Sequence, residues 1–314
     1  MRRWYANARE VGPDVADDGG GGEATVVLAH GYGATQALWD KLLPALSQRN
    51  KVVLFDWDFT GGEADHEEEE GRYTFGRFAD ELIAVMDERG VRGAVVVGHS
   101  MSAMAACIAA ARRPDLFGHL VLLCASPRYI NSEESYVGGF DKAGIDGMLD
   151  AMSSDYDAWV KAFVPNAAGD PEAVPHLEES FLKMHPAVAL ELAKMIFLGD
   201  QREVLDGVTA PCTVVQVKAD FAAPPSVAEY MQRRMKRSAA VAVEIIDSVG
   251  HFPQLVAPQQ LLDVLEGVLR HGGEDAEHGV AAAATTEEVE EEEEKEEEEQ
   301  AASVVDGGID IITS

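Results

Sequence analysis

The sequence predicts an α/β fold in which a mostly parallel sheet carries helices on both faces. Short apolar runs rich in valine and leucine alternate along the chain with longer segments whose apolar residues recur at helical spacing. Such runs are typical of strands buried on both faces, and their alternation with helices indicates parallel pairing. The six predicted strands are Thr25–Ala29, Lys51–Asp56, Ala94–Gly98, His119–Ala125, Cys212–Val217 and Val241–Ile246.

Helical patterns occur in most of the intervals between these strands. In the core they occur at Trp39–Leu46, Phe75–Arg89, Met101–Arg112 and Leu261–Leu269. Between Pro127 and Gly207 only helical patterns occur, which predicts a lid inserted above the sheet. The predicted lid helices are Ile145–Met152, Tyr156–Val164, Ala173–Met184 and Pro186–Leu198. The predicted organisation is a flexible N-terminal segment at 1–23, a core of 24–126 and 208–270, a lid at 127–207, and a disordered acidic tail at 271–314.

The chain is strongly acidic, with a formal net charge of −31. The tail from His271 to Ser314 holds 16 acidic residues and one lysine, and residues 1–270 still carry a net charge of −16. Such a surface repels a phosphate backbone, so nucleic acid is not an expected partner. The Glu67–Glu70 run is interpreted as an exposed loop. The tail is interpreted either as a solubilising end or as an interaction segment for a basic partner.

Three cysteines, Cys107, Cys124 and Cys212, stand in apolar surroundings without the spacing of a disulfide framework. They predict reduced, buried thiols in an intracellular protein. The N-terminus lacks an apolar stretch of signal-peptide length, and no run approaches the roughly 20 apolar residues of a membrane span. We therefore expect a soluble protein of the cytoplasm or nucleus that does not bind a membrane.

The segment Gly98-His99-Ser100-Met101-Ser102 lies at a strand-to-helix junction and has the pattern of a nucleophile elbow. Its sharp turn needs small residues on both sides of the nucleophile, and Ser102 takes the last position, where glycine is usual. The turn raises the Ser100 hydroxyl above the sheet, at a helix N-terminus that favours developing negative charge. A serine that only caps the helix is the alternative for this segment by itself.

Two further residues complete a catalytic arrangement. His251 follows the last predicted strand, and Asp220 follows the strand Cys212–Val217. His251 can take the proton of Ser100, while Asp220 holds the imidazole ring in the required tautomer. Each residue alone has an ordinary explanation, a surface histidine and a turn aspartate. Because the order Ser100, Asp220, His251, each at a strand end, is that of the α/β-hydrolase fold, we predict this fold and this triad.

The oxyanion hole is predicted from two main-chain N–H groups, those of Tyr32 and Met101. Met101 follows the nucleophile, and Tyr32 lies in the turn His30-Gly31-Tyr32-Gly33 after the first predicted strand. Dehalogenases and epoxide hydrolases of this fold use aspartate as the nucleophile, so the serine excludes both activities. The nine histidines show no metal-ligand spacing. Neither a metal nor another cofactor is expected.

Further segments between residues 5 and 270 match one known family in order. They are Asn7-Ala8-Arg9, His30-Gly31-Tyr32-Gly33, Gly98–Met104, Ala125-Ser126-Pro127-Arg128-Tyr129, Gly138-Gly139-Phe140, Ala158-Trp159, Met195-Ile196-Phe197, Ser226–Tyr230 and Gly250–Leu255. With them the chain resembles the plant karrikin/strigolactone receptor family of α/β-hydrolases. Several matches lie in the lid, where a generic likeness to the fold would not place them.

The resemblance implies a lid of four helices over an aromatic pocket. By resemblance, that pocket is lined by Tyr32, Tyr129, Phe140, Trp159, Phe163 and Phe197. The resemblance also implies a butenolide ligand, attacked at its lactone carbonyl and turned over slowly, and ligand-dependent association with an F-box protein and transcriptional repressors. From the residues alone, the same aromatic side chains are equally suited to pack the interior of the lid.

Departures from the receptor pattern predict a divergent paralogue. Val137 replaces a usual histidine, and Leu182 replaces a usual phenylalanine, which predicts a wider and less aromatic cavity on that side. We expect a serine hydrolase that binds and slowly hydrolyses a small hydrophobic ester or lactone, as a plant hormone receptor or a receptor paralogue. The alternative is an ordinary carboxylic-ester hydrolase with a small metabolite substrate and no signalling role. A binding module that retains the triad only by descent is disfavoured, because all three catalytic residues are present.

Overall fold

One sheet of seven strands forms the centre of the computed structural model, which describes residues 3–13, 24–59, 73–132 and 136–270. The strands are β1 (Tyr5–Val11), β2 (Thr25–Ala29), β3 (Lys51–Trp57), β4 (Ala94–His99), β5 (Phe117–Leu123), β6 (Cys212–Ala219) and β7 (Val241–Val249). Their order is β1-β3-β2-β4-β5-β6-β7, and every neighbouring pair is parallel except β1 with β3. The predicted α/β fold with a mostly parallel sheet is confirmed.

Helices occupy most of the connections between the strands. They are α1 (Leu43–Leu46), α2 (Phe75–Glu88), α3 (Met101–Arg112), α4 (Lys142–Ser154), α5 (Tyr156–Ala168), α6 (Val174–Leu182), α7 (Pro186–Leu198), α8 (Pro225–Arg234), α9 (Pro253–Val256) and α10 (residues 258–270). Short 3₁₀ helices lie at Gln36–Trp39, Pro114–Leu116 and Arg202–Gly207. We call α4 to α7 the lid helices, since all four are inserted between β5 and β6.

Local signals explain where several lid helices begin and end. The Asp155 carboxylate accepts a hydrogen bond from the Ala158 N–H at 3.0 Å, which caps the start of α5. The same helix ends at Gly169, whose left-handed backbone terminates it. Helices α6 and α7 each carry proline in their first two positions, where no helical hydrogen bond is lost.

Residues Tyr5–Val11 form the edge strand β1, so the expectation of a flexible segment at 1–23 is wrong for these seven residues. Most of its side chains are exposed on both faces, so the apolar alternation that marks a strand is missing from the sequence. The strand is held by its antiparallel ladder with β3, in which Tyr5 lies opposite Trp57. The Tyr5 ring also packs on Phe55, with ring centroids 6.3 Å apart.

Helix α8 is a second element that the sequence pattern did not indicate. Its segment begins with two prolines and is mostly polar, and it buries only a short stripe formed by Val227, Ala228 and Met231. The Glu67–Glu70 run and the acidic tail at 271–314 lie outside the described residues. No helix in the described part of the chain has the length and apolar character needed to cross a membrane.

The strand order reverses at β2, which has β3 on one side and β4 on the other. Ligands of open parallel sheets bind at such a switch point, beyond the carboxyl ends of the strands. The turn His30-Gly31-Tyr32-Gly33 leaves β2 at this end of the sheet, and Ser100 leaves β4 beside it. The topology therefore brings the predicted oxyanion turn and the predicted nucleophile to one edge.

Candidate active site

Ser100 occupies a strained turn between β4 and α3. Its backbone has φ 54° and ψ −115°, in a region that residues other than glycine rarely adopt. Gly98 makes the turn possible, since a Cβ there would lie 2.7 Å from the Ser102 carbonyl oxygen and 2.8 Å from the Ala103 Cα. The geometry is that of a nucleophile elbow, which lifts the serine hydroxyl above the strand ends.

Ser102 fills the elbow position where glycine is usual, and its hydroxyl has a defined role. It donates a hydrogen bond to the His30 carbonyl oxygen and accepts one from the Trp57 indole N–H at 2.9 Å. The same indole N–H lies 3.0 Å from the His30 carbonyl oxygen. Ser102 therefore ties the elbow to the turn that follows β2.

The triad predicted from the sequence is assembled at hydrogen-bonding distances. His251 Nε2 lies 2.8 Å from Ser100 Oγ, and His251 Nδ1 lies 2.8 Å from Asp220 Oδ2. All three residues are buried. With the Nδ1–H donated to the aspartate, Nε2 is free to accept the serine proton, which is the arrangement that general-base catalysis requires.

Neighbouring main-chain groups hold the acid and the base of this triad. The Ala222 N–H donates to Asp220 Oδ1 at 2.8 Å, which leaves Oδ2 for the imidazole. The His251 N–H donates to the Ala167 carbonyl oxygen at the end of lid helix α5, at 2.7 Å. His99 Nε2 lies 2.8 Å from the His251 carbonyl oxygen. Burial, and then the proximity of His251, lower the pKa of His99 well below its usual range, so His99 is a neutral donor.

The turn after β2 carries the predicted oxyanion donors. Neither the Tyr32 N–H nor the Met101 N–H has a hydrogen-bond acceptor among the described residues, so both are available to a ligand. The turn is anchored by the His30 ring, whose Nε2 accepts from the Trp57 N–H at 3.0 Å while Nδ1 lies 2.9 Å from the Gly31 carbonyl oxygen. Burial lowers the pKa of His30 to about 4, which keeps the ring neutral and able to accept. The assignment of the two N–H groups as oxyanion donors stays a prediction.

One group of side chains in the described residues has the donor set of a metal site. Cys124, Asp220 and His251 are buried, and their ligand atoms lie within 4.8 Å of one another. Sequence spacing cannot reveal this group, because its members come from three separate loops. Aspartate and histidine are already hydrogen-bonded to each other in the triad, so a metal bound there would replace the proton on which catalysis depends. Burial raises the pKa of the Cys124 thiol, which opposes its use as a ligand.

A narrow, mostly apolar cavity lies over Ser100. It is lined by Tyr32, His99, Ser100, Tyr129, Phe163, Ala167, Phe181, Ile196, Phe197, Phe221, Ala222, His251 and Phe252. Its volume is about 30 Å³. The Tyr129 hydroxyl reaches to 3.4 Å from Ser100 Oγ. Burial raises the pKa of Tyr129 above its usual range, so this hydroxyl stays a neutral donor.

Two of the six aromatic residues expected in the pocket do not line it. Trp159 lies behind Phe163, with the two rings stacked at a centroid distance of 4.6 Å. Phe140 lies behind Phe197 and Phe221, with ring centroids 6.4 Å and 6.2 Å away. Trp159 and Phe140 therefore pack behind the residues that line the cavity. The orientation of the lid helices and of the neighbouring loop directs other rings toward the cavity. Tyr32, Tyr129, Phe163 and Phe197 do face the cavity.

The cavity is also not widened at Leu182, which corrects the expectation of a less aromatic wall there. Leu182 is 40% exposed, whereas the preceding residue, Phe181, is 1% exposed and faces the cavity. Phe181 lies four residues after Leu177, which is also buried, and this helical spacing is the signal that identifies the inward face of α6. Phe221 is another lining residue that sequence reasoning missed, although it directly follows the catalytic Asp220.

This arrangement can carry out acyl transfer from an ester or lactone. Ser100 Oγ attacks the carbonyl carbon while His251 Nε2 takes its proton, and Asp220 stabilises the imidazolium that forms. The imidazolium then returns the proton to the departing oxygen, which leaves an acyl-serine. Water, deprotonated by the same histidine, hydrolyses this intermediate and regenerates the serine. The class of protein that the fold and the site define is therefore a serine hydrolase.

Comparison with known proteins agrees with this class and narrows it. Residues 26–264 match the Alpha/beta hydrolase family. The karrikin insensitive 2 receptor CA of Petunia hybrida is 40% identical over 256 residues, which cover 80% of this chain and 93% of that one. The strigolactone esterase D14 of Arabidopsis thaliana is 38% identical over 253 residues, covering 80% and 94%. A solved hydrolase from Oleispira antarctica has a TM-score of 0.74 and 26% identity, and covers 84% of this chain and 94% of that one. The chain belongs to the α/β-hydrolase family, in the group of the karrikin insensitive 2 receptors and strigolactone esterases.

Proposed function

We propose that this chain binds a small butenolide-type ligand, of the strigolactone or karrikin kind, and hydrolyses its lactone slowly as a receptor-like hydrolase. The observation that carries the proposal is a complete triad opening into a cavity walled by aromatic rings. The relatives at 36–40% identity are named as karrikin insensitive 2 receptors and strigolactone esterases. A relative of this similarity supports a ligand of the same chemical class.

The polar groups of the cavity suit a lactone better than a charged substrate. Apart from the triad, His99 and the Tyr32 hydroxyl, which donates to the Ala189 carbonyl oxygen, the Tyr129 hydroxyl is the side-chain donor among the lining residues. A neutral ring with one carbonyl satisfies this set, whereas a buried carboxylate or ammonium group would lose its hydration without a partner. We infer that the carbonyl lies against Ser100 and that the apolar part of the ligand contacts Phe163, Phe197 and Phe221.

The lid contributes directly to the wall over Ser100. Helices α5, α6 and α7 supply Phe163, Phe181 and Phe197, so a ligand above Ser100 lies against all three helices. A ligand in contact with the lid is suited to a protein whose output is recognition by a partner.

The receptor function includes partners and a location. We propose that the ligand-bound protein associates with an F-box protein and transcriptional repressors, in the cytoplasm or the nucleus. The three cysteines are buried and unpaired by disulfides, which suits a reducing compartment. A pull-down with and without ligand tests the association. If the protein hydrolyses the ligand but captures no partner in its presence, the signalling part of the proposal is wrong.

Intact-mass spectrometry tests the ligand class. The protein is exposed to a panel of butenolides, including both enantiomers of each chiral member, and compared with Ser100→Ala. We expect an adduct that maps to Ser100 or His251 and that the variant does not form. A Ser100→Ala protein that forms the same adduct, or a wild-type protein that forms none while it hydrolyses p-nitrophenyl acetate, would overturn the ligand assignment.

An ordinary carboxylic-ester hydrolase is the second candidate function. The same triad and apolar lining also suit a short acyl ester, which needs less room over Ser100 than a butenolide does. Rapid turnover of simple acyl esters, with much lower kcat/KM for every butenolide of the panel and no ligand-dependent partner, would establish this function in place of the first.

A further inference from the structure

Tyr32 connects the predicted oxyanion turn to the lid through its side chain. Its hydroxyl donates a hydrogen bond to the Ala189 carbonyl oxygen of lid helix α7 at 2.9 Å. The residue is 7% exposed, and burial raises the pKa of its hydroxyl well above the usual value, so the group remains a neutral donor. A residue whose main chain is expected to bind the oxyanion is thus fixed to a helix 157 positions further along the chain.

Lid helix α6 holds the same turn from another direction. The Phe181 ring meets the Tyr32 ring edge to face, at a centroid distance of 5.3 Å and an angle of 88°. Gly33 lies directly under Phe181, since a Cβ at this glycine would come within 2.1 Å of the ring. Gly33 also has a φ of +71°, which other residues rarely adopt. The ring therefore packs directly on the main chain of the turn.

The other end of the turn is fixed to the core. The His30 carbonyl oxygen accepts hydrogen bonds from the Ser102 hydroxyl and the Trp57 indole N–H, and the His30 ring accepts one from the Trp57 main chain. The Tyr32 N–H consequently lies between a core anchor and a lid anchor. Removal of the lid anchor frees one side of the turn only.

We propose that the Tyr32 hydroxyl is a positioning group that makes the oxyanion hole depend on the placement of lid helix α7. The stabilisation that a main-chain N–H gives to an oxyanion depends steeply on its position, and a displacement of about 1 Å can cost about 100-fold in rate. With the hydroxyl bond intact, the donor is held for catalysis only while α7 is in place. The proposal rests on the hydrolase activity alone and does not depend on the butenolide ligand.

The chain supplies a matched control for this bond. The Tyr136 hydroxyl donates to the Arg128 carbonyl oxygen at 2.7 Å, and Tyr136 is 5% exposed. Tyr136→Phe therefore deletes the same chemical group as Tyr32→Phe, from a similarly buried tyrosine whose acceptor is also a main-chain carbonyl. It differs in that its bond does not join the oxyanion turn, and neither Tyr136 nor Arg128 lines the cavity.

Steady-state hydrolysis of p-nitrophenyl acetate and the affinity for phenylboronic acid test the proposal in both variants. Boronic acids form a tetrahedral adduct on the serine, so their affinity reports on the oxyanion hole. We expect Tyr32→Phe to lower kcat about 10-fold, to weaken boronate binding by a similar factor, and to leave KM within about 2-fold. Tyr136→Phe is expected to retain kcat and boronate affinity within about 2-fold, with a comparable change in melting temperature.

Either of two results would overturn the proposal: a kcat of Tyr32→Phe within 2-fold of wild type, or an equal loss of kcat in Tyr136→Phe. A measurement on the wild-type protein covers the case in which Tyr32→Phe does not fold. Because coupling is reciprocal, boronate in the oxyanion hole must protect the α7 amides at residues 187–198 from hydrogen exchange. Unchanged exchange of these amides at saturating boronate would contradict the coupling.

Discussion

Ser100, Asp220 and His251 follow the ends of strands β4, β6 and β7, whereas Phe163, Phe181 and Phe197 reach the cavity from lid helices α5, α6 and α7. We call the first set the floor of the cavity and the second its roof. Floor residues are joined by short hydrogen bonds, such as the two of 2.8 Å within the triad. Roof residues meet one another through ring contacts, as between Phe163 and Phe181 at 6.0 Å, and Phe163 also meets Phe221, which follows Asp220, at 5.3 Å.

This difference separates the chemistry from the selection of substrate. A hydrogen bond requires a fixed distance and direction, so floor groups are positioned for proton transfer. Ring contacts tolerate small displacements and depend on the area they bury, so the roof can adapt to the ligand. Floor variants should therefore change kcat, and roof variants should change KM.

The largest expected effect is that of Ser100→Ala. The variant removes the nucleophile, and hydrolysis of p-nitrophenyl acetate should fall by about 10⁴-fold or more. Binding of a non-hydrolysable ligand, followed by thermal shift, should persist, since the roof is unchanged. Hydrolysis within 10-fold of wild type would assign the nucleophile to another residue.

The second effect is a pH dependence of stability, and it comes from His30 in the turn beside the floor. His30 has a folded pKa of about 4 because of its burial, against 6.5 for the unfolded chain, so the unfolded state binds a proton first. Its stabilising contribution is complete above pH 6.5 and is lost as the pH falls to about 4, by about 3 kcal/mol. Burial of His99 acts in the same direction.

Urea unfolding at pH 7, 6, 5 and 4 measures this loss. The free energy of unfolding should decrease through the whole interval, and the decrease should begin above the range in which carboxylates titrate. Equal free energies of unfolding at pH 7 and pH 5 would show that neither histidine is held neutral by the fold.

Trp57→Phe should have a smaller effect, a loss of kcat through the oxyanion turn beside the floor. It removes the indole N–H that reaches the His30 carbonyl oxygen and Ser102 Oγ, so the oxyanion turn loses part of its core anchor. We expect kcat to fall about 10-fold with little change in KM. Trp39→Phe is the matched control, because the Trp39 indole N–H has no hydrogen-bond partner among the described residues. An equal loss of kcat in the two variants would attribute the effect to packing.

The smallest effect is expected in the roof. Phe163→Leu shortens a ring that stacks on Trp159 and faces the cavity, and KM for an aromatic ester should rise a few-fold, about 1 kcal/mol, with kcat within about 2-fold. Phe117→Leu, in strand β5 and absent from the cavity lining, should leave KM unchanged. A Phe163→Leu variant that loses kcat with KM unchanged would contradict the assignment of kcat to the floor and KM to the roof.

The sequence by itself determined six of the seven strands, the lid helices and the catalytic triad. Strands such as Thr25–Ala29 and helices such as Met101–Arg112 are marked by local apolar periodicity, which depends only on neighbours along the chain. The order of Ser100, Asp220 and His251 at successive strand ends is equally a property of the linear sequence.

Only the tertiary structure decided the edge strand, the cavity lining and the anchors of the oxyanion turn. Strand β1 has no apolar alternation because its partner supplies hydrogen bonds rather than a buried face. Phe181 faces the cavity while Leu182 and Trp159 do not, since the rotation of a helix is set by everything packed around it. The bond from Tyr32 to Ala189 joins residues 157 positions apart, and no local pattern encodes a contact that exists only after the lid has packed on the core.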